Sequence, residues 1–475
     1  MKIKPDVKKS SIYIRSVEVK NLRTLNGDVI LKFTKPDGTL PQWTLILGDN
    51  GIGKSTLLQC VAWMKPYLPD DSGKGQKLTK DDIEPTINNE ENESLERLVR
   101  VGTDLEKDYT AIRGNFIANY NLNTDVIKDH NWCYSNMDIY LEKNGALRDV
   151  INKFDTDNEE IFLKNEIVMF GYSASRVLGK TSITEPNITE SLVNFVNDTT
   201  VLYDAEEILH TINYAALGTE AKKEKDKYLN YLETVKQALV SVLPDFESVS
   251  DIEISAPKFV KNQIKQGDVF ITTKHGKRIP FKDFSLGYKT VMSWVVDFSW
   301  RLFNAYPESK HPLKESAIII VDEIDLHLHP VWQREIINHL SQHFPKVQFI
   351  ATAHSPLMVQ AALKENYAVL KFVNGEVTVI NEPTAIDGWR VDQILTSEFF
   401  GLKTARGIDY ENMLAERQSL VRKSKLSKPE KERLNALSEQ LAKYPTGESE
   451  DEIENRKFIS DVVEKLKKDK VTIQL

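Results

Sequence analysis

Gly48–Ser55 reads Gly-Asp-Asn-Gly-Ile-Gly-Lys-Ser, and the reading of this stretch decides the fold. It fits the pattern G-x-x-x-x-G-K-[ST]. The apolar run Trp43-Thr44-Leu45-Ile46-Leu47 precedes it, and Thr56-Leu57-Leu58-Gln59-Cys60-Val61-Ala62 follows. Strand, glycine loop and helix start, in that order, make the pattern a phosphate site. Backbone N–H groups of Asn50, Gly51 and Gly53 are expected to converge on phosphate oxygens, with Thr56 at the helix start and the helix dipole in support. Lys54 is predicted to bridge the β- and γ-phosphates, and Ser55 to offer its hydroxyl oxygen to Mg²⁺.

Three further blocks follow in chain order. Phe284-Ser285-Leu286-Gly287-Tyr288 precedes a helical pattern of Val291, Trp294, Val295 and Phe298. Ser-x-Gly at a helix start is a weak anion-binding signal alone. Ala317–Pro330 reads AIIIVDEIDLHLHP. Its five apolar residues predict a strand buried on both faces, as a parallel sheet requires. Asp322 and Glu323 end that strand, where open α/β sheets bind ligands. Asp322 is predicted to hold Mg²⁺, and Glu323 to act as general base on the attacking water. A second apolar strand, Phe349-Ile350-Ala351-Thr352-Ala353, ends at His354. A γ-phosphate contact is the expectation for that histidine.

Glycine loop, Ser-x-Gly, Asp-Glu and His, in this order, resemble the ABC-type ATPases of the SMC, RecF and OLD kind. The resemblance implies an α/β P-loop NTPase of ABC-ATPase type, with a mixed sheet, a helical insertion and a helical C-terminal region. It implies ATP and Mg²⁺ as cofactors, with two ATP molecules sandwiched in a head-to-tail dimer. Ser285 and Gly287 then belong to a signature loop that contacts the γ-phosphate held by the other protomer. Glu323 matches the catalytic base of that family, and His354 its switch histidine. Asp325 resembles the loop residue that crosses the dimer interface. Arg23 takes the place of a basic residue near the phosphates in the SMC and RecF branch; a solvated arginine at a strand end fits it equally well.

Gly171-Tyr172-Ser173-Ala174-Ser175-Arg176, Leu243-Pro244, DEIDLHLHP, FIATAHSP and Trp389-Arg390-Val391-Asp392-Gln393-Ile394-Leu395 together resemble the ATPase subunit of Septu-type anti-phage systems, free-standing or retron-linked. In those systems a separate small nuclease accompanies the ATPase. The signature here is Phe-Ser-Leu-Gly-Tyr, whereas transporters of the superfamily carry Leu-Ser-Gly-Gly-Gln. No glutamine with lid-loop context lies between the glycine loop and Ser285, and the Gly171–Arg176 segment stands in that place.

The chain has 475 residues, 41% of them hydrophobic, and a formal net charge of −8. That length suits one large α/β core with appended helical parts. The net charge argues against DNA binding over the whole surface but leaves room for a local basic groove. The two cysteines, Cys60 and Cys133, have no paired or metal-ligand spacing, which suits a reducing cytoplasm. No apolar run reaches the length of a membrane span, so no membrane role is expected, and the basic N-terminus leads into no signal-peptide apolar region.

Residues 1–65 are read as the lobe with the glycine loop, and 66–160 as a charged insertion, polar at 69–110 and partly mobile. Residues 161–382 hold the rest of the core, with an apolar strand at 161–172 and a helical pair at 204–243 packed on the core. Residues 383–475 are a helical C-terminal region that either binds a partner or caps the sheet edge, with a last helix from Glu452 to Lys468. No Toprim block follows His354, so any nuclease is expected to be a partner, of HNH type. DNA or a phage component is a further candidate partner. The leading function is an ATP-hydrolysing regulator of a separate nuclease in phage defence. A RecF-like DNA repair ATPase and an ATP-stabilised scaffold with little turnover are the alternatives.

Overall fold

Ala317–Val321 forms one strand in which every residue is buried. Its side chains alternate between two cores, as the two-residue period of a strand dictates. Ala317, Ile319 and Val321 enter one core, while Ile318 and Ile320 enter the other. The glycine-loop strand Trp43–Gly48 divides in the same way, with Leu45 and Leu47 set against Ile46. So does Val347–Thr352, with Phe349 and Ala351 set against Ile350.

The computed structural model describes residues 10–22, 25–67, 84–85, 110–126, 131–141, 147–158, 161–162, 167–183, 191–196, 199–243, 245–260, 263–265, 267–362, 365–381, 383, 386, 388–423 and 425–444. Arg23, nearly all of the polar stretch 69–110 and the expected last helix at 452–468 lie outside the described residues.

The central sheet runs Glu376–Ile380, Asn366–Val373, Trp43–Gly48, Val347–Thr352, Ala317–Val321 and Met169–Tyr172. All neighbours pair parallel except the first two, which form an antiparallel hairpin. The α/β fold with a mixed sheet is therefore borne out. Parallel pairing brings the C-terminal ends of the glycine-loop strand and the acidic strand to the same edge, with Val347–Thr352 between them.

A second sheet is wholly antiparallel: Leu25–Lys32, Ile12–Leu22, Thr110–Ala118, Trp132–Leu141 and Leu147–Thr156. It covers one face of the central sheet, together with the helix Lys54–Trp63. Buried Gln348 joins the two sheets. It accepts from Ile14 N–H at 3.0 Å and donates to the Ile14 carbonyl at 2.7 Å. Part of the expected charged insertion is thus sheet, because Ile112, Phe116, Met137 and Ile139 are buried beneath it. The expected strand at 161–172 shortens to Met169–Tyr172.

Helices cover the other face. Ala205–Gly218 begins at Asp204, whose carboxylate accepts the N–H groups of Glu206 and Glu207. Its partner Lys222–Val242 buries Tyr231, Leu232, Val235 and Leu239 in the same core as the helix Leu286–Ala305. This pair packs on the core, as the spacing of its apolar residues suggests. Among the described residues no helix is long and apolar enough to cross a membrane.

The chain divides into two compact units, parted between Phe400 and Gly401. The second unit holds the helices Ile408–Val421 and Lys428–Ala442. Ser427 and Glu430 form a capping box at the start of the latter. Arg433 pairs with Glu416 across the hairpin at 2.7 Å, and Leu420 and Leu437 are its buried residues.

Candidate functional site

The glycine loop links the strand Trp43–Gly48 to the helix Lys54–Trp63. Gly53 caps that helix at φ +104°, a left-handed conformation that glycine adopts without steric penalty. Asn50 and Gly51 are exposed at the loop tip, and Thr56 is half-buried in the first turn. The Lys54 ammonium folds over the loop and donates to the carbonyls of Gly48 at 2.7 Å and Asp49 at 3.0 Å. Burial holds it below the ordinary lysine range, against the pull of Asp322, Glu323, Asp49 and Asp325.

Ser55 donates to Asp322 Oδ2 at 2.6 Å. The other Asp322 oxygen accepts from the Thr352 hydroxyl at 2.5 Å. That hydroxyl in turn accepts the Glu323 backbone N–H at 2.7 Å. One continuous chain of hydrogen bonds therefore runs from Ser55 through Asp322 and Thr352 to Glu323. Sequence reasoning gave Thr352 no role, although a polar residue in an otherwise apolar buried strand is a readable signal.

Glu323 has φ +47°, a left-handed backbone that costs a non-glycine residue about 1–2 kcal/mol. Its carbonyl accepts from Arg176 Nη2 at 2.7 Å. Arg176 is a second residue that sequence reasoning left without a role. Desolvation pushes its guanidinium down to about 10, against Asp322, Glu323 and Asp325, so it stays charged at neutral pH. His354 Nε2 lies 3.9 Å from Glu323 Oε1, and both side chains are partly exposed.

Asp325 lies in the acidic loop that follows the strand. It is buried, and its Oδ2 accepts the His354 backbone N–H at 2.9 Å. Its carboxylate therefore ties the acidic loop to the histidine strand of its own chain. The outward residue of this loop is His327, exposed and at φ +67°. Gln333 holds the loop from behind, donating to the Leu328 carbonyl at 3.1 Å and accepting from Ser355 at 2.7 Å.

Ser285 is exposed at the N-cap of Leu286–Ala305 and makes no capping bond. A Cβ on Gly287 would lie 2.8 Å from the His327 carbonyl. Glycine is thus required there by contact with the chain's own acidic loop, a reason the sequence did not reveal. Among the described residues no hydrogen bond joins Ser285 or Gly287 to the glycine loop. Further along the helix, buried Asp297 accepts from Tyr172 at 2.6 Å, Arg301 at 2.7 Å and the Tyr203 N–H at 2.9 Å. This network fastens the helix to the strand beside the acidic one.

The donor set fits a nucleotide with a hard divalent cation. A hydroxyl and a carboxylate oxygen converge at Ser55 and Asp322, as Mg²⁺ requires when phosphates complete its shell. Asp325 Oδ1 is a buried oxygen without a hydrogen-bond partner among the described residues.

The family described as AAA ATPase domain matches residues 13–359. The chain belongs to that family. It is an ATPase, and the matched span holds the glycine loop, the acidic strand and His354. The Septu protein PtuA of Bacillus mycoides (strain KBAB4) is 24% identical to it over 442 residues, 91% of this chain and 51% of that protein. This ATPase thus spans about half the length of that relative. The retron Vc95 probable ATPase of Vibrio cholerae serotype O1 biovar El Tor is 25% identical over 406 residues, 77% of each chain. The solved SMC head domain from Thermotoga maritima is 13% identical, with a TM-score of 0.37, over 78% of this ATPase and 99% of that chain.

Proposed function

We propose that this ATPase is the ATP-binding and hydrolysing subunit of an anti-phage defence complex, pairs head to tail around ATP, and controls a separate nuclease. The hydrogen-bonded chain from Ser55 to Glu323 carries the hydrolytic part of this reading. Similarity to a Septu protein and a retron ATPase over most of the chain supports the defence part. We assign it to the cytoplasm, with the nuclease of HNH type and residues 383–475 as the region that recruits it.

In this reading the loop N–H groups and Lys54 would hold the triphosphate, and Ser55 and Asp322 would hold Mg²⁺. The cation would neutralise charge on the phosphate oxygens. Thr352 fixes the Asp322 carboxylate and the Glu323 peptide with one hydroxyl, so the metal-binding group and the base keep a set spacing. Glu323 accepts the proton of the attacking water. His354, next to the Glu323 carboxylate, steadies the water and the terminal phosphate. Ser285 and the first turn of its helix face the nucleotide of the partner protomer.

Lys54→Ala tests both parts. It removes a charge-assisted contact, so ATP affinity in calorimetry should weaken by roughly 10- to 100-fold. In cells the variant should lose protection against phage, while the wild type copurifies with a nuclease encoded beside it. Unchanged ATP affinity would break the site. Intact protection by a variant that no longer binds ATP would break the link between ATP and defence, and a wild type that gives no protection would break the defence reading.

A further inference from the structure

The left-handed peptide at Glu323 is clamped on both sides. Thr352 takes its N–H at 2.7 Å, and Arg176 holds its carbonyl at 2.7 Å. Rotation about either backbone bond of Glu323 would break one of these contacts, and it would swing the side chain away from its present direction. A conformation of this kind persists only where its surroundings over-determine it.

Arg176 is itself firmly anchored. It opens the strand Arg176–Thr181, which pairs parallel with Thr200–Tyr203 through Arg176 and Thr200. The Arg176 N–H donates to the Ala174 carbonyl at 3.0 Å, and the Thr200 N–H to the Ser175 carbonyl at 3.0 Å. Four residues earlier, Tyr172 pairs with Val321 in the sheet, and its carbonyl takes the Asp322 N–H at 2.8 Å. The segment that carries Arg176 is therefore in register with the strand that carries Glu323. Its guanidinium acts on the charges of Asp322, Glu323 and Asp325 together.

We propose that Arg176 is a positioning residue for hydrolysis: through the Glu323 carbonyl it sets the direction of the Glu323 side chain toward the attacking water. This rests on Glu323 being the base. Arg176 touches neither phosphate nor water in this role, so its loss should alter kcat and leave nucleotide affinity intact.

The test uses Arg176→Ala and Arg176→Lys in the full-length chain, with phosphate release, ATP calorimetry and thermal melting. Arg176→Ala should keep the ATP Kd and KM within about twofold and lower kcat about 100-fold, the cost of a base displaced by about 1 Å. Arg176→Lys keeps the charge but loses the planar fork, and should recover only to about tenfold below wild type. Millimolar guanidinium should raise the kcat of Arg176→Ala and leave that of Lys54→Ala unchanged. Wild-type kcat in either variant overturns the proposal. Loss of kcat, ATP affinity and several degrees of melting temperature together, in both variants, also overturns it in favour of a purely structural anchor. If the alanine variant does not fold, the lysine variant decides alone. Full turnover in Glu323→Gln would sink the base assignment itself, whereas an inactive Glu323→Gln beside a fully active Arg176→Ala sinks only the role of Arg176.

Discussion

The glycine-loop end of the central sheet and the start of the helix Leu286–Ala305 are both dense in polar groups, yet those groups are satisfied differently. At the sheet end, Ser55, Asp322, Thr352 and the Glu323 peptide find partners within the chain. At the helix start, Ser285 is exposed and caps nothing, and Leu286 is 58% exposed. The first N–H groups of any helix lack intrahelical partners, and such ends attract anions. One region organises itself; the other presents donors and an apolar side chain outward. The proposed head-to-tail pairing gives the second region its counterpart in another copy of the first.

Glu323→Gln would break the self-organised half with the largest effect. The amide cannot accept a proton, so turnover should fall by about 10²- to 10⁴-fold. ATP binding should survive, and with ATP the variant should accumulate as a dimer or larger assembly in light scattering. A variant that turns over at the wild-type rate would remove the base from this half.

Thr352→Val sharpens the same half. It keeps the shape and deletes the hydroxyl shared by Asp322 and Glu323. Losing one buried hydrogen-bond partner costs about 1–3 kcal/mol, so turnover should drop roughly tenfold or more, with a lower melting temperature. If turnover and melting both stay at wild-type values, the hydroxyl is dispensable to the chain of contacts.

The smallest effect tests the outward half. Gly287→Arg is a poor probe, because any side chain there strikes the His327 carbonyl of its own chain. Ser285→Arg avoids that collision. Mixed in equal amounts with Lys54→Ala, it should give roughly a quarter of wild-type turnover, since half the dimers keep one working composite site of two. No recovery, with both proteins folded and exchanging subunits, would place complete sites within single chains.

The contrast also explains what could be read in advance. Asp322 and Glu323 directly follow one strand and Lys54 follows the glycine loop after another, and strands buried on both faces announce themselves as apolar runs. The strands at 110–156 follow a long charged stretch and do not announce themselves in that way. Thr352 lies in the apolar strand that leads to His354, yet its role depends on the side-by-side pairing of Val347–Thr352 with Ala317–Val321. Arg176 is brought to Glu323 by the register of Met169–Tyr172 against Ala317–Val321, a relation that linear spacing does not contain. Asp325 could be assigned to the loop but not given its direction. That direction follows from the His354 N–H, which draws the carboxylate inward.

The strand order also bears on how the protein is made. Among the described residues the glycine-loop strand Trp43–Gly48 pairs with Val347–Thr352 and Asn366–Val373. At roughly 5–20 residues per second on the ribosome, its nearer partner emerges roughly 300 residues later, after some tens of seconds. Until then a strand with four apolar side chains and open backbone groups awaits neighbours that do not yet exist, the circumstance in which nascent chains aggregate or engage chaperones. The ATP site is therefore among the last features of this core to form, and a ribosome that stalls before Val347 releases no chain able to hydrolyse ATP.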